Sequence, residues 1–97
     1  MKLDECRKNM DAIDMEIVAL LNRRADLSRR IGHIKTVAAL PVVDLAREEI
    51  ILRRVIRENA GDVSDNALTA IYREILRESR RIQNVVATEL LTGEPKK

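Results

Sequence analysis

The chain has 97 residues, 35% charged and 45% hydrophobic, with only 3 glycines and 2 prolines, a balance that favours one domain of long amphipathic helices over sheets or disorder. Eighteen basic and 16 acidic residues are interspersed for a net charge of +2, and Tyr72 is the lone aromatic, so neither a basic nucleic-acid stripe nor a base-stacking platform is on offer. With one cysteine (Cys6), one histidine (His33), no CxxC or HExxH spacing and no long apolar run, the sequence argues against an internal disulfide, a histidine-based metal site, a Ser-His-Asp triad and a membrane span, and a reduced cytoplasmic setting is the expectation.

The first segment reads as one very long helix over about residues 3 to 38. Leu3, Cys6, Met10, Ile13, Ile17, Leu20, Arg24, Leu27, Ile31, Ile34 and Ala38 form a seam whose spacing alternates three and four. Cys6 at such a position is read as core rather than reactive. At about 1.5 Å per residue this helix is roughly 54 Å long, whereas a compact chain of this size has a radius of gyration near 13 Å. Its seam must therefore continue onto something outside one monomer, and a partner chain is the simplest answer.

Pro41 in the stretch Ala39 to Val43 breaks that helix, and Asp44 is a good N-cap for a second one over about 45 to 59. Its apolar face uses Leu45, Ile51, Leu52, Val55 and Ile56, and Gly61 suits its C-terminal stop. Ser64 caps a third helix over about 65 to 91, with an inward stripe of Leu68, Ile71, Tyr72, Ile75, Ser79, Ile82, Val86 and Leu90. Residues 92–97 read as a frayed tail, and residues 1–97 as a single domain.

Function shows itself where polar residues interrupt these stripes. Arg24 sits in the seam of the first helix. Lys35, 11 residues on, points almost the same way about 16 Å along the axis, so the two can reach toward one small dianion. Thirteen of the 18 basic residues are Arg, the side chain suited to gripping carboxylates with paired hydrogen bonds. Arg7 lies about 26 Å before Arg24 and is rotated by roughly 100°, so only an antiparallel partner helix could bring it to that space. Glu48 falls on the apolar face of the second helix with Arg47 beside it, and Ser79 and Gln83 stand one turn apart in or beside the third stripe. Each has a plainer reading: Arg24 as a register-setting residue, Arg47 and Glu48 as surface charges, Ser79 bonded to its own helix, Arg7 as a solvated cation. Together they form a cation-rich set facing one interior, suited to a ligand with two carboxylates and a hydroxyl.

In this order and spacing the residues resemble the all-helical chorismate mutase family, over about Leu3 to Leu90. The resemblance is carried by Arg7, Ile13-Asp14, Leu20-Leu21-Asn22-Arg23-Arg24, Ile31-Gly32-His33-Ile34-Lys35, Pro41-Val42-Val43-Asp44, Arg47-Glu48 and Ser79-Arg80-Arg81-Ile82-Gln83. It implies an all-α fold of three helices per chain, two chains intertwined as a homodimer, and two shared sites that convert chorismate to prephenate in aromatic amino acid biosynthesis without cofactor or metal. It further implies that Arg7 of the partner chain, Arg24, Lys35 and Arg47 hold the two carboxylates. Lys35 and Gln83 would bond the ether oxygen, Glu48 and the backbone near Asp44 the ring hydroxyl, and Ser79 a carboxylate. With no Phe or Trp the pocket walls must be aliphatic, with Leu52, Val55, Ile75 and Ile82 as candidates.

Three rivals stay open. One is isochorismate pyruvate lyase of the same fold, against which Asp44, Arg47 and Glu48 together weigh. Another is the mutase part of a bifunctional enzyme, divided at the linker-like residues 93–97. The third, from a different class, is a non-catalytic helical dimerisation module.

Overall fold

The computed structural model describes residues 1–93, and three helices account for most of them: α1 (Leu3–Val37), α2 (Leu45–Glu58) and α3 (Asp65–Thr92). Asp4 and Glu5 in the first turn of α1 and Lys35 in its last turn match the helix dipole. The helix ends in a Schellman arrangement, in which Ala39 N–H donates to the Thr36 carbonyl at 3.2 Å and Leu40 N–H to the Lys35 carbonyl at 2.8 Å. Ala39 takes the left-handed conformation this requires, at φ 55°. The helix is thus closed two residues before Pro41.

Asp44 caps α2 by accepting a hydrogen bond from Arg47 N–H at 3.0 Å, and Ser64 caps α3 through Ala67 N–H at 3.1 Å. The stop expected at Gly61 lies elsewhere. Asn59 ends α2, and its side-chain amide donates to the Val63 carbonyl at 2.7 Å and to Asp65 at 2.9 Å, holding the α2–α3 turn. Thr92, placed in the frayed tail from sequence, is the last helical residue, and Gly93 caps α3 at φ 72°. The rest of that tail, residues 94–97, lies outside the described residues. No helix among the described residues is long and apolar enough to cross a membrane.

α2 folds back against α3, and α3 runs parallel to the C-terminal half of α1, as the pairings Arg24 with Ser79 and Gly32 with Gln83 show. Ile17, Leu20 and Leu21 in the middle of α1 line an open cleft with Ile71 and Tyr72 of α3, and every residue from 1 to 23 is exposed. The molecule is 54 Å long, and its radius of gyration is 16.8 Å, well above the value of about 13 Å for a compact chain of this size.

The seam expected to be buried is not buried within one chain. Leu20, Leu27 and Ile34 are 54%, 55% and 62% exposed, and Cys6 is exposed too. The residues of α1 that face α3 are instead small, with Ser28 and Gly32 buried. On α3 the buried residues are Leu76, Gln83 and Val86; Val86 lies on the expected stripe, Leu76 and Gln83 lie beside it, and Ile71 and Leu90 of that stripe are exposed. On α2, Leu52 is buried while Leu45 and Ile56 are exposed. The apolar core of the described chain is thus Leu52, Leu76 and Val86. At about 1.5–3 kcal/mol per buried side chain, so few residues fall far short of the ordering cost of about 1–2 kcal/mol per residue for the whole backbone.

Candidate active site

The three helices enclose a cleft of about 440 Å³, the size range of small-molecule sites. α1 contributes Arg24 and Lys35, α2 contributes Asp44 at its cap, Arg47 and Glu48, and α3 contributes Ser79, Arg80 and Gln83. Seven of the eight residues singled out from sequence therefore share one space. Arg7 is the exception: it is exposed near the start of α1, and 17 residues of helix separate it from Arg24.

Each polar group is held by a specific contact. Arg24 Nη1 donates to Ser79 Oγ at 3.1 Å, joining α1 to α3. Lys35 Nζ donates to the Val42 carbonyl at 2.8 Å, which fixes the α1–α2 loop and leaves the ammonium two further protons for a ligand. Asp44 Oδ1 is engaged with the first turn of α2, and Arg47 is exposed at the rim. Gln83 is buried, and its Oε1 has no hydrogen-bond partner among the described residues. A buried acceptor left unmatched costs about 1–3 kcal/mol.

Glu48 is half-buried, and its Oε1 accepts from Arg80 Nη1 across the α2–α3 interface. Sequence reasoning named Arg80 but assigned it no part in the site. It sits one residue from Ser79 and one turn before Gln83, a spacing that could have marked it. The apolar walls also differ from expectation. Leu27, Ile31, Ile51 and Leu76 line the cleft, while Ile75 and Ile82 line a second cleft between α1 and α3 and Leu52 is core. Beside that second cleft the Arg81 guanidinium holds the Glu78 carboxyl below its ordinary range by hydrogen bonding, in an ion pair that is more than half exposed.

The cleft carries four cations (Arg24, Lys35, Arg47, Arg80) and two carboxylates (Asp44, Glu48), a surplus of two positive charges. That surplus and the aliphatic walls suit a small dianion with an apolar body. No nucleophile–base pair is required for such a site to act, because positioned cations can stabilise charge that develops during a reaction.

The family model for chorismate mutase type II matches residues 6–84. The bifunctional chorismate mutase/prephenate dehydratase of Aquifex aeolicus is 46% identical over 79 residues, 77% of this chain and 22% of that protein. The chain thus spans about a fifth of that relative's length. The 4-amino-4-deoxychorismate mutase of Streptomyces venezuelae is 29% identical over 99% of this chain and 95% of that protein. Among solved structures, form II of the chorismate mutase from Thermus thermophilus superposes with a TM-score of 0.84 at 31% identity, covering 87% of this chain and 96% of that one.

Proposed function

The chain belongs to the type II chorismate mutase family, and on that premise we propose that it isomerises chorismate to prephenate, the cytoplasmic step of aromatic amino acid biosynthesis that the sequence resemblance implies. The observation that carries this reading is the convergence of Arg24, Lys35, Arg47 and Gln83 on one cleft with a surplus of two positive charges. A [3,3] rearrangement moves no proton and needs no nucleophile. It needs the substrate's two arms held together and the negative charge that develops on the ether oxygen stabilised.

In this reading Arg24, Arg47 and Lys35 clamp the two carboxylates, with Ser79 assisting from the position where it holds Arg24. Lys35 and Gln83 donate to the ether oxygen. Glu48 and the backbone near Asp44 receive the ring hydroxyl. Charged donors in a partly closed cleft act more strongly than in water, and they are already oriented before the reaction begins.

The working unit is a homodimer. Residues 1–23 are all exposed in the single chain, the apolar seam from Met10 to Ile34 is exposed, and the apolar core is too small to balance the ordering cost. An antiparallel copy of α1 would cover that seam and bring Arg7 of the second chain to the cleft. The domain spans residues 1–97, alone or as the mutase part of a longer enzyme.

The test is the loss of chorismate absorbance with purified protein, with the product identified as prephenate. Lys35→Ala is expected to abolish turnover while circular dichroism shows the helices intact. Pyruvate release would instead identify a lyase. A folded dimer that consumes no chorismate would overturn the enzyme reading in favour of a dimerisation module.

A further inference from the structure

Both carboxylates of the cleft are engaged before any ligand arrives. Asp44 Oδ1 caps α2, and Glu48 Oε1 accepts from Arg80 Nη1. The side chains of Arg80 and Glu48 are 31% and 19% exposed, so water screens them less than it screens a surface pair. Arg24 and Lys35 are tied to neutral partners, the Ser79 hydroxyl and the Val42 carbonyl, and keep their charge available. The cleft therefore offers Arg24 and Lys35 to an anion, while the charge of Glu48 is matched by Arg80 and Asp44 meets only a backbone N–H at the α2 cap.

We propose that Arg80 is a specificity-determining residue, whose pairing with Glu48 makes that end of the cleft accept a neutral hydroxyl and reject an ammonium at the same ring position. The inference rests on the reading above, in which Glu48 receives the ring hydroxyl. A hydroxyl can donate to Glu48 Oε2 without disturbing Arg80, since the ion pair engages Oε1. An ammonium placed there would confront the guanidinium, and like charges brought together in a partly dry site repel one another. The charge count agrees. With Arg80 the cleft has a surplus of two positive charges, matching a dicarboxylate alcohol. Without it the surplus is one, matching a dicarboxylate that also carries an ammonium.

The experiment compares kcat/KM for chorismate and for 4-amino-4-deoxychorismate in the parent chain, Arg80→Met and Arg80→Lys. The parent chain is expected to prefer chorismate. In Arg80→Met the amine-to-hydroxyl ratio of kcat/KM is expected to rise about tenfold, mainly through KM for the amine, while Arg80→Lys retains the parent preference. If Arg80→Met does not fold by circular dichroism, Arg80→Gln takes its place in the same comparison. A purely structural Arg80 would lower both substrates by one factor, and an unchanged ratio would overturn the proposal, as would a parent chain that prefers the amine. Failure of the parent chain to rearrange either compound would instead sink the mutase reading on which the proposal stands.

Discussion

Gly32 of α1 faces Gln83 of α3 so closely that a Cβ on Gly32 would lie 2.9 Å from the Gln83 Cα and 3.1 Å from its carbonyl oxygen. The contact is with backbone, so no side-chain rotation can relieve it. The absent side chain at position 32 thereby sets how near α1 comes to α3, and with it the depth at which Gln83 enters the cleft.

Gly32→Ala is therefore expected to push the helices apart. Overpacking of this kind costs about 1–3 kcal/mol, offset in part by the better helix propensity of Ala. A shift of Gln83 by even a fraction of an ångström should lower turnover well beyond the loss of stability. Thermal melting and chorismate turnover measured together separate the two effects. Full activity in a stable Gly32→Ala protein would show that the close approach is immaterial to the site.

Gln83→Glu tests the amide as a donor. Protonated, the carboxyl can still donate to an ether oxygen, but ionised it repels the charge developing there. Activity of the variant is expected to fall as pH rises, whereas the parent chain has no such dependence at this position. A pH–rate profile decides it, and constant turnover from acid to neutral pH would remove Gln83 from its assigned role.

The shared site can be tested by complementation. Arg7→Ala and Lys35→Ala are each expected to be inactive as purified proteins. In a mixed dimer, the chain that keeps Lys35 receives Arg7 from its partner, so one of the two sites is whole. Unfolding and refolding the two together should restore about a quarter of the parent activity, as random pairing in a two-fold dimer dictates. Recovery of nothing would mean that Arg7 does not cross to the other chain.

Ala39 offers a stability prediction away from the site. A residue with a Cβ in the left-handed region is strained by about 1–2 kcal/mol, and glycine is not. Ala39→Gly is expected to raise stability by about 0.5–1 kcal/mol after the added flexibility of the unfolded chain is subtracted. Denaturant unfolding measures the gain, and turnover should not change.

The helix boundaries were legible because their causes are local. Asp44 and Ser64 cap the turns that follow them, and Pro41 forbids continuation, whatever the rest of the chain does. Sequence reading erred at Gly61 because glycine is the commonest stop, whereas Asn59 ends α2 through bonds to Val63 and Asp65 that form only once the turn has closed.

The seam of α1 was legible as an apolar line, and its length pointed to a partner chain, but the face that α3 covers was not legible. Periodicity reports which side of a helix is apolar and says nothing of what covers it. α3 packs instead on the small residues Ser28 and Gly32, since only small side chains let two helices approach this closely. The same limit explains Ile75 and Ile82, apolar and correctly spaced, yet lining the cleft on the other side of Ser79.

By itself the sequence determined three helices, the N-caps of α2 and α3, and the polar interruptions Arg24, Lys35, Glu48, Ser79 and Gln83. These follow from neighbours within a turn or two of chain. The tertiary structure alone decided that these five, together with Asp44 and Arg47, share one cleft among three helices, and that Arg80 neutralises Glu48 within it. Those outcomes depend on the angle and depth at which helices meet, and a close contact such as Gly32 on Gln83 sets them only after residues distant in the chain have packed together.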